Sequence, residues 1–507
     1  MHSATVVIDP AFTVAPVRRR TFGTFVEHLG RCVYTGIFEP GHPTADADGF
    51  RGDVLALARE MGVSTVRYPG GNFVSGYNWE DGVGPVEDRP ERLDLAWHST
   101  ETNAFGLHEF MAWTKAAGVE PMMAVNLGTR GLPEALDLLE YANQRRGSAR
   151  AEQRRANGAD EPFGISFWCL GNEMDGPWQL GHKTAREYGR LAAETGRGMR
   201  QMFPDLTLVA CGSSGSGMPT FGTWEREVLE ECYDQVDLIS AHAYYHEQDG
   251  DLGSFLASAQ DMDHFVATVA ATADAVGAAR KTAKRINISF DEWNVWYHEN
   301  EDALPKGEDW PVAPRLEEDV YTVADAVVVG NLLISLLRNS DRVHSASQAQ
   351  LVNALAPIMT EPGGPAWRQT TFHPFALTSK YARGEVLRVS VDAPTYANAR
   401  FGESALVDAV ATYDAESGDV AVFAVNRAVD APTTLRVDLR GVGAVEVVEA
   451  LTYAHDDVHW RATKEDAETV LPRANASAAV GSDGVLTVEL PAVSWSVLRL
   501  RGTGAGA

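Results

Sequence analysis

What most constrains this chain is a repeated pairing of an amphipathic helix with a short apolar strand along roughly its first 370 residues. Val54, Leu57, Ala58 and Met61 fall at i, i+3, i+4 and i+7 of a helix, Gly62 ends it, and Val63-Ser-Thr-Val-Arg-Tyr continues as a strand. Leu107, Phe110, Met111 and Thr114 repeat the spacing, Gly118 closes that helix, and Glu120-Pro-Met-Met-Ala-Val-Asn follows. Strand-like runs recur at 164–170, 206–211, 236–243, 286–290 and 345–351, and 24–27 completes eight. Strands alternating with helices build a parallel sheet covered by helices. Eight of them predict an α/β fold, a (β/α)8 barrel of the TIM type, whose active site lies at the C-terminal ends of the strands. A doubly wound open sheet also alternates, but it needs a glycine-rich phosphate turn after a strand. The run Gly212-Ser-Ser-Gly-Ser-Gly lacks the Lys-Ser/Thr of a phosphate loop and reads as a flexible loop at a barrel mouth.

After about residue 380 the pattern changes to period two. Leu435, Val437 and Leu439 alternate with Arg436 and Asp438, and Leu486, Val488 and Leu490 alternate with Thr487 and Glu489. Turn sequences such as Glu416-Ser-Gly-Asp separate the runs, which predicts a C-terminal antiparallel β-sandwich of jelly-roll type. The opening Thr5-Val-Val-Ile strand is far enough from the first barrel strand to cross over and join it. The expected division is therefore 1–17 as a strand of the sandwich, 18–380 as the catalytic barrel and 381–507 as the sandwich. A Gly/Ala tail is the one low-complexity stretch.

Composition narrows the partners. Across 507 residues, 43 basic side chains face 70 acidic ones, a formal charge of −27, which repels phosphate backbones and anionic lipid surfaces. The expectation is no nucleic-acid and no membrane partner. The short basic cluster at Arg18, Arg19 and Arg20 reads as a solvated strand end. The N-terminus has no basic region followed by an apolar stretch, so the chain as given reads as cytoplasmic. The most apolar stretch, 323–337, is too short to span a bilayer and carries Asp325 and Asn331, so it reads as a buried helix. Cys32, Cys169, Cys211 and Cys232 are too widely spaced for a zinc or redox pair and read as reduced, mostly buried thiols.

Two strand ends carry chemistry. Ile165-Ser-Phe-Trp-Cys-Leu runs into Gly171-Asn-Glu-Met-Asp-Gly-Pro-Trp, and Ile286-Asn-Ile-Ser-Phe runs into Asp291-Glu-Trp-Asn. Each delivers a glutamate, Glu173 or Glu292, to the position where barrel enzymes keep catalytic groups, roughly three βα units apart, on strands four and seven. Facing carboxylates about 5 to 5.5 Å apart are what a retaining glycosidase needs: one protonates the leaving oxygen while the other attacks the anomeric carbon. The acid must keep its proton near neutrality, which takes partial burial and a neighbouring negative charge. Trp97, Trp178 and Trp296 offer faces for sugar stacking. His242 and His246 sit four apart but follow a strand with no accompanying carboxylate motif, which favours a polar site role for His242 over a metal.

These segments, together with others along the barrel, resemble the α-L-arabinofuranosidases of glycoside hydrolase family 51. The matching stretches are Gly23-Thr-Phe-Val-Glu-His-Leu-Gly-Arg, Val66-Arg-Tyr-Pro-Gly-Gly-Asn-Phe, Glu101-Thr-Asn, Pro121-Met-Met-Ala-Val-Asn-Leu-Gly-Thr-Arg, Trp168-Cys-Leu-Gly-Asn-Glu-Met-Asp-Gly-Pro-Trp-Gln, Ala241-His-Ala-Tyr-Tyr, Asp291-Glu-Trp-Asn-Val-Trp-Tyr and Ala349-Gln-Leu-Val-Asn. The resemblance implies that Glu173 is the general acid/base and Glu292 the nucleophile, and that Asn172 holds the sugar 2-hydroxyl. It implies that Glu27, Asn72, Tyr244 and Gln350 hold the furanose hydroxyls and ring oxygen, with Trp296 behind the furanose and Trp97 toward the leaving group. The expected activity is an exo-acting, retaining hydrolase that needs no cofactor or metal. Its expected substrates are arabino- and arabinoxylo-oligosaccharides, and its expected assembly a homo-oligomer, a hexamer being one candidate. Three other readings stay open: an endo-acting glucanase or xylanase on the same barrel, a catalytically silent carbohydrate-binding protein, and a metal-dependent barrel hydrolase.

Overall fold

The computed structural model of the protein describes residues 2–297 and 307–502; the Gly/Ala tail lies outside the described residues. Strand β1 (His2–Pro16) leads into eight short strands: β2 (Gly23–Phe25), β3 (Thr65–Tyr68), β4 (Glu120–Ala124), β5 (Phe167–Leu170), β6 (Thr207–Ala210), β7 (Leu238–Tyr245), β8 (Asn287–Val295) and β9 (Val343–Gln348). These pair in parallel and in chain order, β9 returning to β2, as a closed barrel. All eight strand-like runs of the sequence form its staves. The first is shorter than expected, so Glu27 stands two residues beyond it.

Alternation along each strand decides which side chains enter the barrel. Met122 and Ala124, Phe167 and Cys169, Val209 and Leu238 form one interior cluster. Their neighbours Met123, Trp168, Leu170, Leu208 and Ile239 face outward into the larger core under the helices. Helix α1 (Gly52–Met61) buries Val54, Leu57, Ala58 and Met61 in that core and ends at Gly62, whose φ is +75°. Helix α2 (Leu107–Ala117) buries Leu107, Phe110, Trp113 and Thr114, with Met111 only half-buried. Arg18, Arg19 and Arg20 correct the expectation of a solvated end. They donate to the Ser340 carbonyl, the Ser379 carbonyl and the Glu120 carboxylate, and so tie the start of the barrel to β4 and to the segments after α3 and before the sheet body.

The second body is a ten-stranded, mostly antiparallel sheet. Its other strands are β10 (Glu385–Asp392), β11 (Val407–Asp414), β12 (Asp419–Asn426), β13 (Thr433–Leu439), β14 (Val445–Tyr453), β15 (Arg473–Ala474), β16 (Ala479–Val480), β17 (Val485–Leu490) and β18 (Ser494–Gly502). The order is β15-β14-β18-β12-β11-β10-β1-β13-β17-β16, so β1 sits inside it, antiparallel to β10 and parallel to β13. The sheet folds over until β16 meets β14, and Val6, Ile8, Val420, Val422, Leu435, Val437, Leu486, Val488, Leu498 and Leu500 fill the space between its halves. The alternate residues Phe423, Val425, Trp495 and Val497 belong instead to the barrel's core. Helix α3 (Val323–Arg338) lies between the two bodies, touching β8 on one side and β11, β12 and β18 on the other. It is buried all round, which explains a helix without a polar face.

Candidate active site

The C-terminal ends of the barrel strands converge on a cleft of about 740 Å³, lined among others by Glu27, Asn72, Glu173, Tyr244, Glu292 and Gln350. Trp97, Trp178 and Trp296 line it as well. Strand five of the chain, fourth in the barrel, delivers Glu173 on a turn in which this residue itself takes a left-handed φ of +42°, a strained conformation of the kind that clusters at functional sites. Strand β8 delivers Glu292 by another device. Its register against β7 slips between Ser289 and Glu292, a β-bulge that places one extra residue in β8. Strict alternation would send Glu292 outward with Phe290. With the bulge, Asp291 and Glu292 both turn into the barrel.

Each carboxylate is held by named donors. Glu292 accepts from Arg67 Nη1 at 2.6 Å and from the Tyr244 hydroxyl at 2.8 Å. Arg67 stands on β3, inward because Val66 and Tyr68 pack outward. Its Nη2 donates to Asn172 Oδ1 at 2.5 Å, and its guanidinium lies over the Phe25 ring. Asn172 in turn donates to Gln179 Oε1 at 3.3 Å. Glu173 accepts on Oε2 from the indole of Trp178 at 2.7 Å, and its Oε1 lies 2.8 Å from His242 Nδ1. His242 Nε2 is fixed 3.0 Å from Asp291 Oδ1, and its Nδ1 is also 3.5 Å from Glu292 Oε2. One imidazole therefore bridges both glutamates and is anchored from behind by a third carboxylate.

The electrostatics follow from these contacts. Burial alone would lower His242, but Glu292, Asp291 and Glu173 outweigh it and push it up to about 10, so the ring is cationic at neutral pH. Burial raises the Glu292 carboxyl; His242, Arg67 and the Tyr244 hydroxyl pull against it, and Glu173 adds to the rise. A guanidinium 2.6 Å away cannot give up its proton, so the carboxylate is the form this contact holds.

Beside the pair lies a second carboxyl network. Glu27 accepts from the Phe73 amide and the Trp97 indole, both at 2.9 Å, and from Gln350 Nε2 at 3.1 Å, while its own amide donates to Gln350 Oε1. Burial pushes it up to about 8 against the pull of the Phe73 and Trp97 donors. Gly70 and Gly71 make room for it: a Cβ on Gly70 would stand 2.5 Å from Glu27 Cγ, and one on Gly71 2.9 Å from Oε2. Trp296 packs edge-on against Tyr244 with 5.0 Å between ring centroids and donates to Glu317 Oε2.

Of the site residues named from the sequence, all but two line this cleft: His242 is bonded to its lining at Glu173, and Asn172 lies one step further back, held by the Arg67 that also bonds Glu292. Arg67 and Asp291 were not singled out, although each left a signal, a charge interrupting an otherwise apolar parallel strand. Glu173, His242 and Glu292 present ligand-type atoms within 4.8 Å of one another. Both His242 nitrogens already face carboxylates, Nδ1 that of Glu173 and Nε2 that of Asp291, so an ion here would have to displace the contact to Glu173.

Comparison with known proteins agrees with this geometry. A family model described as the α-L-arabinofuranosidase 1 domain matches residues 57–266, and one described as the α-L-arabinofuranosidase C-terminal domain matches 291–494. The chain is 61% identical over 501 residues to the intracellular exo-α-(1→5)-L-arabinofuranosidase of Streptomyces lividans, covering 98% of this chain and 75% of that one. It is 56% identical to an exo-α-(1→6)-L-arabinofuranosidase of Bifidobacterium longum, covering 99% and 98%. A solved structure of a family 51 α-L-arabinofuranosidase from Bifidobacterium longum superposes with a TM-score of 0.94 at 49% identity, over 98% of this chain and 99% of the other. With so much identity along nearly the whole chain, this protein belongs to the α-L-arabinofuranosidases of glycoside hydrolase family 51.

Proposed function

We propose that Glu292 and Glu173 carry out a double displacement by which this exo-acting α-L-arabinofuranosidase releases terminal non-reducing arabinofuranosyl groups from arabino- and arabinoxylo-oligosaccharides. The observation that carries the reading is the approach of the two carboxylates, whose facing oxygens lie within 4.8 Å. A retaining pair stands about 5 to 5.5 Å apart, whereas an inverting pair at about 6.5 to 9.5 Å leaves room for a water between.

Charge decides the roles. Arg67 and His242 bring two positive charges, and Asp291 and Glu292 balance them. Arg67 and the Tyr244 hydroxyl hold Glu292 as the ionised member, the form a nucleophile needs, which leaves the acid/base part to Glu173. In the first step Glu292 attacks the anomeric carbon as Glu173 protonates the departing glycosidic oxygen. In the second, Glu173 takes a proton from a water that displaces Glu292, and two inversions restore the starting configuration. Asn172, held by Arg67, offers its amide to the sugar 2-hydroxyl. Glu27, Asn72, Tyr244 and Gln350 supply further polar contacts to a furanose, with Trp296 along its face.

Residues 18–380 form the catalytic unit in this reading, with 1–17 and 381–507 as the sheet unit. The Streptomyces relative is named intracellular, and we assign this chain the same place, acting as a homo-oligomer. No helix among the described residues is long and apolar enough to cross a membrane.

Glu292→Ala is expected to abolish turnover while folding normally, and azide to restore it on an activated aryl arabinofuranoside. Glu173→Ala is expected to slow poor leaving groups by about 10² to 10⁴ and activated ones far less. Wild-type turnover by the Glu292 variant would overturn the assignment. Internal fragments from xylan without free arabinose would select an endo-acting enzyme, and a wild type inert on every arabinofuranoside would select a binding protein.

A further inference from the structure

Past the catalytic pair the cleft continues along a wall held by two separate sets of hydrogen bonds. Asp175, two residues after Glu173, accepts on Oδ2 from the Ser214 amide at 3.0 Å and from its hydroxyl at 3.2 Å. Ser216 donates to Asp261 Oδ1 at 2.8 Å, and Asp261 Oδ2 accepts from the Tyr245 hydroxyl at 3.0 Å. Residues 214–217, Asp261 and Arg400 all line the cleft. The serine-glycine loop is therefore clamped at two points, which corrects its expected flexibility.

Two features of this wall serve nothing inside the protein. Gly215 and Gly217 have no left-handed φ, and a Cβ on Gly217 would meet nothing within 4 Å, one on Gly215 only a backbone nitrogen at 4.0 Å. Gly212 in the same run is different, since its Cβ would stand 1.9 Å from the Ser240 carbonyl oxygen. Packing requires the first glycine, but only the width of the cleft is served by the other two. A glycine surface of this kind admits close approach of a ligand to the backbone.

The second feature is Arg400, at the tip of the hairpin Thr395–Asn398/Gly402–Ala405, which leaves the sheet body between β10 and β11. The hairpin is pinned to the barrel: the Tyr396 hydroxyl donates to the Gly253 carbonyl at 2.8 Å, and the Arg400 amide to the Ser254 hydroxyl at 3.1 Å. The Arg400 guanidinium lies over the Phe401 ring, is exposed, and forms no ion pair among the described residues. Every other charged side chain that lines the cleft among the described residues is acidic.

We infer that the loop 214–217 and Arg400 form a leaving-group subsite for a neutral sugar chain beyond the ring joined to the scissile bond. The inference rests on the arabinofuranosidase reading above. The wall starts at Asp175, two residues after the acid that protonates the leaving oxygen, and continues through the 214–217 loop to Asp261, so what it meets is the departing chain. The guanidinium fork suits a pair of neighbouring sugar hydroxyls, and the glycine backbone lets a ring lie flat against it.

Arg400→Ala and Gly217→Val test this by the ratio of kcat/KM on a trisaccharide to kcat/KM on an aryl arabinofuranoside. Arabinofuranosyl trisaccharides, 1→5- and 1→6-linked, and an arabinofuranosyl-substituted xylotriose separate the two sources of chain. The ratio is expected to fall about tenfold in each variant, through KM, on at least one of these series. A ratio within twofold of wild type for Arg400→Ala on every series overturns the subsite, as does an equal loss on aryl and trisaccharide substrates. Arg400 is exposed, so its variant decides the question even if the valine variant has a lowered Tm. A wild type that cleaves no arabinofuranoside would instead remove the reading beneath.

Discussion

Replacing Arg67 with methionine keeps the apolar stem of the side chain and removes the one charge in the site that titration cannot remove. Its Nη1 is 2.6 Å from Glu292 Oε1, inside the barrel and out of water. Charge centres in such a contact are about 4 Å apart, and at an effective dielectric of about 20 their attraction is roughly 4 kcal/mol. Only the ionised Glu292 gains from it, so its loss raises the carboxyl's apparent pKa. His242 stays 3.5 Å from Oε2 and takes up part of the loss, so the rise in apparent pKa is smaller than the pairwise attraction alone implies. The direction follows from the role. A nucleophile works ionised, activity is lost as pH falls through its pKa, and removing a cation raises that pKa further above the ordinary value. The acidic limb of kcat/KM therefore moves to higher pH in Arg67→Met and stays near the wild-type position in Arg67→Lys. The assay is the pH dependence of kcat/KM on an activated aryl arabinofuranoside, whose good leaving group spares the demand on Glu173. A uniform drop in activity with an unmoved acidic limb would refute the electrostatic role and leave Arg67 a geometric brace.

Two further outcomes follow from the same contacts. With both nitrogens of a cationic His242 occupied, dialysis against a chelator is expected to leave kcat/KM unchanged; a loss that zinc or manganese restores would show that Glu173, His242 and Glu292 hold an ion. Gly330→Ala, in the middle of α3, would ordinarily favour a helix by about 1 kcal/mol. Here the new Cβ would stand 2.2 Å from Cδ1 of the fully buried Trp495, so the variant is expected to be destabilised by about 1 to 3 kcal/mol, read as a lowered Tm with wild-type kcat/KM below the transition. An unchanged or raised Tm would mean that barrel and sheet pack less tightly there.

The fold was legible where pattern and period agree. Val54 to Met61 write a helix at spacing 3.6, Leu435 to Leu439 a strand at spacing two, and both are found so. The all-apolar stretch of α3 showed burial but not its cause, because the second body that covers it comes from strands that begin only at Glu385. Parity within a single strand does not account for the position of Glu292, which the sequence reading placed at the strand end. A period-two count from Phe290 puts Glu292 on the outer face, and only the slip of register against β7 brings it inside beside Asp291. A bulge is set by pairing with the neighbouring strand, which a single strand's sequence does not contain. Arg400 was illegible for a similar reason: a turn residue in the sheet segment acquires a place at the barrel mouth only through Tyr396 and Ser254.

The bridging imidazole unites these observations into one argument about charge. Before reaction the negative charges are on Asp291 and Glu292; in the glycosyl-enzyme Glu292 is an ester and Glu173, having given up its proton, carries the charge instead. The sum over Arg67, His242, Asp291, Glu173 and Glu292 is the same in both states. What changes is position, a displacement of one negative charge across a gap of less than 5 Å. His242 Nδ1 stands in that gap, 2.8 Å from one glutamate and 3.5 Å from the other, so its positive charge serves whichever is ionised. Asp291 behind it keeps the ring cationic and fixed in orientation while the charge moves. A site arranged in this way meets both half-reactions with the same preorganised dipoles and charges, and neither step has to draw counter-charge from solvent. The surplus of acidic residues over the whole chain plays no part in that balance, which is struck among five side chains inside the barrel.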